Sequence, residues 1–394
     1  MNNLTRRQRI ETRKKFFVYG SIIAGLVILV LAGSFLLRLF GFYKTIQTDP
    51  GTKPVITKEK DSYNFLLLGY GGGNHEGTFL TDTLIIANVN LKTKKVLMIS
   101  VPRDIWVKVP TSDKEEVFYS KINSVYQMGL FPENYPGVDG NLITDDNASG
   151  LIKKVAENIT GLPIDAFLAV DFEGFMKAID TLGGIEVDVQ RSFTDYEYPV
   201  EGKENDLCGK TEEDLPELEK IATESPVLAF PCRYETLEFS KGMTEMDGST
   251  ALKFARSRHS LEDGGDFNRA QRQQLVIEGA KQKVLRVDFL PKIIPLLDQL
   301  EEHIVTDLPL GDLNKLLLEA RNANSYSTQT LVLSENNFLT SDRSDDGQYI
   351  IVPNAGRNDW SEVKKEVDNI IKGITPTPTR NPKLTPKVSP KTNR

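Results

Sequence analysis

The sequence predicts an α/β fold in which a central mixed β-sheet is flanked by helices, because buried strand patterns alternate with helical patterns along its middle part. Residues 64–69 form an almost entirely apolar run, as expected for a strand that is covered on both faces. Residues 83–90 and 96–101 predict two further strands, and the polar connection between them is short enough for a hairpin. These three strands form the start of the predicted sheet.

Helices and strands then alternate from residue 120 onward. The predicted helices span residues 120–128, 148–160 and 172–182, and the predicted strands span residues 166–170 and 185–189. Gly183 and Gly184 follow the third of these helices, where glycine commonly ends a helix. This order is typical of a sheet that is covered by helices.

Composition limits the class of protein. A chain of 394 residues with 39% hydrophobic content can bury a substantial core, so one main domain with appendages is expected. The net charge of -7 argues against a general nucleic-acid-binding protein, whose binding surface would be basic. Any cationic binding site must therefore be local.

The N-terminus predicts a membrane anchor. Residues 1–15 are basic, and residues 16–37 form an uncharged stretch that meets the ~20 residues needed to cross a hydrocarbon core. The positive-inside rule places the basic tail in the cytoplasm and the chain after Arg38 outside the cell membrane, as a single-pass protein. A cleaved signal peptide is the alternative, although the apolar stretch is longer than a typical signal core. Residues 38–62 are polar and predict a short stalk.

The only two cysteines, Cys208 and Cys232, lie in an acidic segment of about residues 196–234. Outside the cytoplasm a disulfide can persist, and closing a loop of this size is worth roughly 3 kcal/mol in the chain-entropy model. Two unpaired thiols are the alternative, and a zinc site is less favourable because no histidine is near. The segment is predicted to be a disulfide-stapled insertion without a chemical role.

An arginine cluster predicts a phosphate or pyrophosphate site. Its arginines are Arg256, Arg258, Arg269 and Arg272, and Gln273 follows them. Arginine offers a planar fork of donors that matches phosphate oxygens, which lysine cannot do. On a helix with its N-cap near Asp266, the last three of these residues would share one side. A solvated, arginine-rich turn is the alternative.

Loops that follow or enter the predicted strands supply further candidates. The glycine-rich residues 70–77 could bring backbone amides close to a phosphate, but no Walker motif is present. Asp82 enters the second strand and could bind a hard cation such as Mg²⁺. Arg103 and Asp104 follow the third strand; Arg103 would add a phosphate-directed fork, or would form a structural pair with Asp104.

Nine motifs in this order resemble the LytR-CpsA-Psr family over about residues 63–287. They are LLLG (66–69), TDT (81–83), VPRD (101–104), KIN (121–123), VDFEGF (170–175), LGGIEV (182–187), MDG (246–248), ARSRH (255–259) and DFNRAQRQQ (266–274). The resemblance implies a LytR-CpsA-Psr-like α-β-α fold and a catalytic domain over residues 63–288. It also implies a bacterial enzyme that moves an anionic glycopolymer from a polyprenyl-pyrophosphate carrier to peptidoglycan and releases polyprenyl phosphate.

The family's site residues carry over by motif position. The resemblance implies a lipid tunnel and a pyrophosphate held by arginines with Mg²⁺ or Mn²⁺. The implied pyrophosphate-binding residues are Arg103, Arg256, Arg258, Arg269 and Gln273. Asp82 would serve the metal, and either Asp82 or Asp104 would act as general base, so the implied catalytic residues are Asp82, Arg103 and Asp104. The partners would be the lipid-linked glycopolymer, peptidoglycan and the lipid membrane, without nucleic acid.

The chain departs from the family pattern at two places. Tyr70 or Gly71 stands where many members have an aspartate, and Leu80 stands where they have an arginine. The first change puts the usual cation site in doubt. His75 and Glu76 lie in the same loop and could substitute as metal ligands, or they could be a surface feature.

The remainder of the chain carries no chemical motif. Residues 289–372 predict a small C-terminal subdomain, and residues 373–394 predict a disordered Pro/Thr/Lys tail, either inert or adhering weakly to anionic wall polymer. Two other functions need the same cluster of charges: a non-catalytic receptor for a lipid-linked saccharide, and a polyprenyl-pyrophosphate hydrolase. The sequence does not separate transfer from hydrolysis.

Overall fold

The structure is a computed structural model. It describes residues 33–47, 55–56, 60–73, 77–113, 115–143, 148–284, 293–309, 311–312, 315–316, 319 and 325–374. The predicted cytoplasmic tail and most of the predicted transmembrane helix lie outside these residues, as does most of the predicted C-terminal tail. Within the described part, no helix is both long and apolar enough to cross a membrane.

The strands and helices are as follows, in chain order. The strands are Ser62–Tyr70 (β1), Thr81–Asn90 (β2), Lys95–Ser100 (β3), Trp106–Val109 (β4), Phe118–Lys121 (β5), Ala166–Asp171 (β6), Ile185–Val189 (β7), Phe193–Pro199 (β8), Tyr234–Phe239 (β9), Gly242–Met246 (β10), Ile304–Thr306 (β11), Ser327–Val332 (β12), Leu339–Arg343 (β13) and Tyr349–Pro353 (β14). The labelled helices are residues 33–46 (α1), Ile122–Leu130 (α2), Gly150–Thr160 (α3), Phe172–Leu182 (α4), Leu215–Glu224 (α5), Pro226–Ala229 (α6), Gly248–Arg256 (α7), Gly265–Val284 (α8), Ile293–Leu300 (α9) and Ser361–Lys372 (α10).

The central sheet has six strands in the order β11-β6-β1-β2-β3-β12. β1 pairs antiparallel with β2 and parallel with β6, and β3 pairs antiparallel with β2 and parallel with β12. The predicted mixed sheet is therefore confirmed. The remaining strands form two-stranded ribbons, β4 with β5, β7 with β10, β8 with β9 and β13 with β14.

The two faces of the sheet meet different layers. On one face, Leu66 and Leu68 belong to the main apolar core, which also contains residues of α2, α3 and α10. On the other face, Leu67 and Ala87 line a cavity beside α8. A second core joins α4, α7 and α8 to the ribbons β7–β10 and β8–β9. Side chains of a strand alternate between faces, so neighbouring residues of β1 serve both layers.

The central sheet crosses the predicted boundary at residue 288. β11 pairs with β6 at one edge of the sheet, and β12 pairs with β3 at the other. β11 gave a weak sequence signal because it is only three residues long. Residues 328–352 predict short strands, but the sequence does not show that β12 pairs with β3. Residues 304–332 thus complete the main sheet rather than a separate subdomain.

The C-terminal ribbon β13–β14 reaches the loop that follows β3. Ile351 forms a parallel bridge with Ile105, and its amide donates to the Asp104 carbonyl at 3.0 Å. The segment around Asp104 is therefore held from the C-terminal side.

The insertion between β8 and β9 is stapled and folded. Cys208 and Cys232 form a disulfide across a sequence separation of 24 residues. Leu218, Ala229 and Phe230 pack together inside the closed loop as a small apolar cluster. The insertion therefore has a small core of its own in addition to its covalent link.

Candidate phosphate-binding site

A cationic pocket of about 190 Å³ lies where β2 begins and α8 starts. It is lined by Asp82, Arg103, Asp195, Tyr198, Pro199, Arg256, Arg258, His259, Arg269 and Gln273. Every predicted pyrophosphate-binding residue lines this pocket, together with Asp82. Residues that are far apart in the sequence thus meet in one place, with more arginines than carboxylates.

Arg103 is held between two aspartates. Its guanidinium forms an ion pair with Asp82 through Nη1, and its Nε lies 3.5 Å from Asp104 Oδ2. Burial acts to lower the pKa of Arg103, but the nearby carboxylates, Asp82 above all, raise it above its usual range. The buried Nε has no hydrogen-bond partner among the described residues. Arg103 therefore lines the pocket with its guanidinium held in place by the two aspartates.

Asp104 lies behind Arg103 and does not line the pocket. Lys121 donates to its Oδ1 from 2.9 Å. Burial acts to raise the pKa of Asp104, but Lys121 and Arg103 outweigh it and hold this pKa below its usual range. A carboxylate that is stabilised in this way accepts a proton poorly.

α8 presents Arg269 to the pocket. The helix begins at Gly265, one residue before Asp266, near which its start was predicted, and Asp266 lies in the first turn. Arg269 is only 7% exposed, and its Nη2 lies 3.1 Å from Asp266 Oδ1. Burial lowers the pKa of Arg269, and Asp266 opposes this effect. The buried guanidinium keeps its charge because arginine stays protonated in proteins.

Arg272 does not belong to the pocket, although it was grouped with the phosphate-directed arginines. Its side chain is 2% exposed and donates to the carbonyls of Phe254 at 3.0 Å and Asp263 at 2.7 Å, and to that of Ser257. Its fork is therefore already occupied. It links α8 to the end of α7 and so fixes the segment that carries Arg256 and Arg258.

Arg256 and Arg258 differ in how far they are already engaged. Arg256 is the last residue of α7, and its guanidinium lies 4.3 Å from the centre of the Phe172 ring and 3.4 Å from the Tyr198 hydroxyl. The guanidinium of Arg258 forms no hydrogen bond or ion pair with any residue that the structure describes. Arg258 therefore supplies the pocket's unengaged fork.

Asp195 is a pocket residue that the sequence analysis missed. Its Oδ2 accepts from Ser257 Oγ at 2.6 Å and from the amides of Arg258 and His259 at 3.0 and 3.2 Å. Burial acts to raise the pKa of Asp195, but these hydrogen bonds hold it below its usual range. The available signal was an acid between apolar strand residues, Phe193 and Tyr198. Asp195 positions the backbone that bears Arg258.

Asp195→Asn is expected to lower the free energy of unfolding at pH 7 by about 2 to 3 kcal/mol, because hydrogen bonds to a charged group contribute ~1.5 to 3 kcal/mol. The pKa of Asp195 is lower in the folded state, so its contribution is complete above the unfolded pKa and is lost as the pH falls through the folded one. Urea unfolding should show the difference from wild type shrinking below about pH 3.9. A difference that stays constant to pH 2.5 or so would contradict this assignment.

An apolar cavity of about 970 Å³ lies between the central sheet and α8. Leu67, Ala87 and Met98 of the sheet face Leu275 of α8 across it. α8 borders both spaces, because it contributes Arg269 and Gln273 to the pocket and Leu275 to the cavity. An amphiphilic ligand with an anionic headgroup and an apolar chain therefore fits the pair of spaces.

The loop that was expected to bind a cation is described only in part. His75 and Glu76 lie outside the described residues and remain predictions. Tyr70, one of the two residues considered for the position of the family's aspartate, is only 7% exposed and stacks against Phe79 with ring centres 5.9 Å apart. Burial, together with Asp171, raises the pKa of Tyr70 to about 12. Tyr70 is therefore a core residue and not a metal ligand.

Within the part of the chain that the structure describes, one group of three or more His, Cys, Asp or Glu side chains is close enough to share a metal ion. It consists of Asp206, Cys208 and Cys232, and both sulfurs are used by the disulfide. This group is not a metal site.

The fold and the two spaces define an α/β protein whose site suits an amphiphilic phosphate. The chain belongs to the LytR_cpsA_psr family, whose sequence model matches residues 41–366. The resemblance noted from the motifs is thus confirmed.

Similar proteins agree with this family. A protein of Oceanobacillus iheyensis named polyisoprenyl-teichoic acid–peptidoglycan teichoic acid transferase TagU is 27% identical, covering 82% of this chain and 86% of the relative. The TagU of Enterococcus faecalis is 25% identical, over 71% of this chain and 73% of its own. Among solved structures, protein gbs0355 of Streptococcus agalactiae has a TM-score of 0.53 at 18% identity, covering 79% of this chain and 89% of its own. This last likeness shows the shared fold.

Proposed function

We propose that this protein is a membrane-anchored phosphotransferase, which attaches an anionic glycopolymer from a polyprenyl-pyrophosphate carrier to peptidoglycan. The observation that carries the proposal is that α8 forms a wall of both the arginine-lined pocket and the apolar cavity. The transferase names of the relatives from Oceanobacillus iheyensis and Enterococcus faecalis support the same reaction.

The donor would occupy both spaces at once. Its polyprenyl chain would lie in the apolar cavity, and its pyrophosphate would lie among Arg103, Arg256, Arg258 and Arg269. Preorganised cationic donors stabilise the charge that develops during phosphoryl transfer without having to reorganise. The guanidinium of Arg258, which no described residue engages, is available for this purpose.

The reaction requires one bond to form and one to break. A sugar hydroxyl of peptidoglycan would attack the phosphorus nearest the polymer, forming a new phosphodiester. The bond between this phosphorus and the bridging oxygen would break, and polyprenyl phosphate would leave with the electron pair. The hydroxyl proton would pass to a carboxylate.

Asp82 is the better proton acceptor of the two aspartates considered. It lines the cationic pocket, whereas Asp104 does not. Asp104 is also held in its ionised form by Lys121 and Arg103, which keep its pKa low. A base must lie within hydrogen-bond reach of the proton that it accepts, and this favours Asp82.

The residues present fit a magnesium or manganese site in which substrate phosphate oxygens supply part of the coordination. Mg²⁺ is commonly bound by one or two carboxylates together with substrate phosphates and water. Asp82 would hold the cation with the pyrophosphate oxygens. Asp266 is a second carboxylate nearby, and its Oδ1 is paired with Arg269 Nη2 at 3.1 Å. When bound, the cation would neutralise negative charge on the pyrophosphate.

We place the catalytic domain outside the cell, with the N-terminus in the cytoplasm. The support is the sequence of residues 1–37 together with the packing of α1. Phe42 and Ile46 of α1 pack against Leu300 of α9, and Arg38 forms an ion pair with Asp298. The segment that directly follows the predicted anchor is thus attached to the domain, which would keep the site near the membrane that holds the donor lipid.

The test is a transfer assay with the full-length protein in lipid nanodiscs. Wild type and Arg256→Ala are each incubated with peptidoglycan, Mg²⁺ and a donor whose oligosaccharide is labelled. Label that becomes covalently attached to peptidoglycan with wild type, and much less with the variant, supports the transferase. Free labelled oligosaccharide would indicate a hydrolase instead, and bound but unconverted donor would indicate a receptor.

A further inference from the structure

A half-exposed aromatic face lies on the β4–β5 ribbon beside Asp104. Trp106 pairs with Lys121 across the ribbon, and the rings of Trp106 and Tyr119 stack with centres 6.4 Å apart and an interplanar angle of 9°. Alternation along the strands places these side chains on one face, whereas Val107 and Val109 point into the main core. Both rings are partly accessible to solvent.

The C-terminal ribbon brings a third exposed ring close to this site. Tyr349 lies two residues before Ile351, which forms a bridge with Ile105 and whose amide donates to the Asp104 carbonyl at 3.0 Å. Tyr349 is 46% exposed, which is high for a large ring at the edge of a charged site. Its hydroxyl also experiences the charges of Asp104, Asp266 and Arg258, which places it next to the cationic pocket. No function described above uses these three rings.

The direction of attack identifies which substrate would meet the rings. The donor lipid would lie on the sheet face that carries Leu67 and Ala87. The β4–β5 ribbon packs against the opposite face, which carries Leu66 and Leu68. Attacking and leaving oxygens are roughly in line at the phosphorus in phosphoryl transfer. The acceptor hydroxyl therefore has to arrive from the side away from the lipid.

We propose that Trp106, Tyr119 and Tyr349 form the binding face for the peptidoglycan acceptor strand and position its sugars for attack. Aromatic rings with one polar end offer large, rigid contact surfaces at half-wet interfaces, as a chain of sugar rings requires. Lys108 lies on the same face of β4 and suits the carboxylates that peptidoglycan carries. This inference rests on the proposed transferase function and adds the location of its acceptor.

The first test measures binding without any donor. The full-length protein in nanodiscs is titrated with a soluble peptidoglycan glycan fragment, and binding is followed by calorimetry. Trp106→Ala and Tyr349→Ala are each expected to raise the Kd by about 5-fold to 10-fold, the scale of one lost aromatic contact. Tyr349→Phe keeps the ring and should bind nearly as wild type does. Tyr196, 55% exposed on β8, gives a matched control, and Tyr196→Ala should leave this Kd unchanged.

The second test separates this inference from the proposed function. In the transfer assay, Tyr349→Ala should raise KM for the acceptor by a similar factor, with KM for the lipid-linked donor unchanged. If wild type and Tyr349→Ala both transfer polymer and have the same KM for the acceptor, the proposed acceptor-binding face is wrong and the proposed transferase function is retained. If wild type does not bind the peptidoglycan fragment, the proposed acceptor-binding face is also wrong. If wild type transfers no polymer but the variants still bind the fragment more weakly, the result contradicts the transferase function and supports the acceptor-binding face.

Discussion

Arg258→Ala is expected to lower kcat/KM for polymer transfer by about 10² to 10³-fold, the loss typical of removing one preorganised donor from a developing charge. Arg258 lines the cationic pocket, and its guanidinium is not engaged by any described residue. Its backbone amide is held by Asp195, and that contact survives the substitution. The free energy of unfolding should therefore change little while activity falls.

Two further variants give this prediction its controls. Arg258→Lys keeps the charge but not the planar fork, so we expect an activity between those of wild type and Arg258→Ala. Arg233→Ala removes an arginine from the stapled insertion, where Arg233 stacks on Phe230, and should leave kcat/KM within about 2-fold, as surface substitutions away from a site usually do. Full activity of Arg258→Ala, measured with protein of wild-type thermal stability, would remove Arg258 from the site.

Local signals allowed parts of the fold to be predicted to the residue. α4 begins after Asp171, whose side chain accepts from the Gly174 amide at 2.7 Å, and it ends before Gly183, which has a φ of +79°. Both ends of α4 are therefore specified by local residues, an N-capping aspartate and a C-terminal glycine. α2 instead begins two positions after its predicted start, and its N-cap, Lys121, makes no side-chain cap hydrogen bond. Without a cap, periodicity alone fixes a helix boundary poorly.

The cationic pocket shows where sequence reasoning stops. The motifs indicated which arginines could face a phosphate, because residue type and spacing are local properties. Arg272 matches the same spacing, yet its donors are used by carbonyls of Phe254 and Ser257, which no spacing rule reveals. Asp195 acts on residues that follow it by more than sixty positions. Both cases depend on tertiary contacts, which a single sequence does not record.

The C-terminal region was underestimated for the same reason. β12 pairs with β3 across more than two hundred residues, and its mostly exposed side chains hide that pairing from a periodicity analysis. The ribbon β13–β14 carries no chemical motif, yet it brings Tyr349 to the edge of the site through the backbone contact of Ile351 with Asp104. A segment without a motif can thus contribute to a site through its place in the fold.

The apolar cavity leads to the second large expected effect. Ala87→Trp is expected to raise KM for a long-chain polyprenyl donor by up to about 10² to 10³-fold, because excluding one isoprene unit forfeits roughly 3 to 4 kcal/mol at ~0.8 kcal/mol per CH₂. Ala87 lines the cavity from β2, so the new ring would enter space that is already open rather than the packed core. Folding should therefore survive, as thermal unfolding would verify.

Chain length makes this prediction specific to the lipid. A donor with a short prenyl chain makes fewer apolar contacts with the cavity. The ratio of its KM in Ala87→Trp to its KM in wild type should therefore be smaller than the same ratio for the long-chain donor. Ala87→Val adds little volume and should stay close to wild type with both donors. The acceptor KM should not change, because the peptidoglycan strand would approach from the other face of the sheet. Equal KM ratios for the two donors would place the lipid outside this cavity, whereas a selective loss with the long chain would place it against β2 and α8, with its headgroup among the arginines.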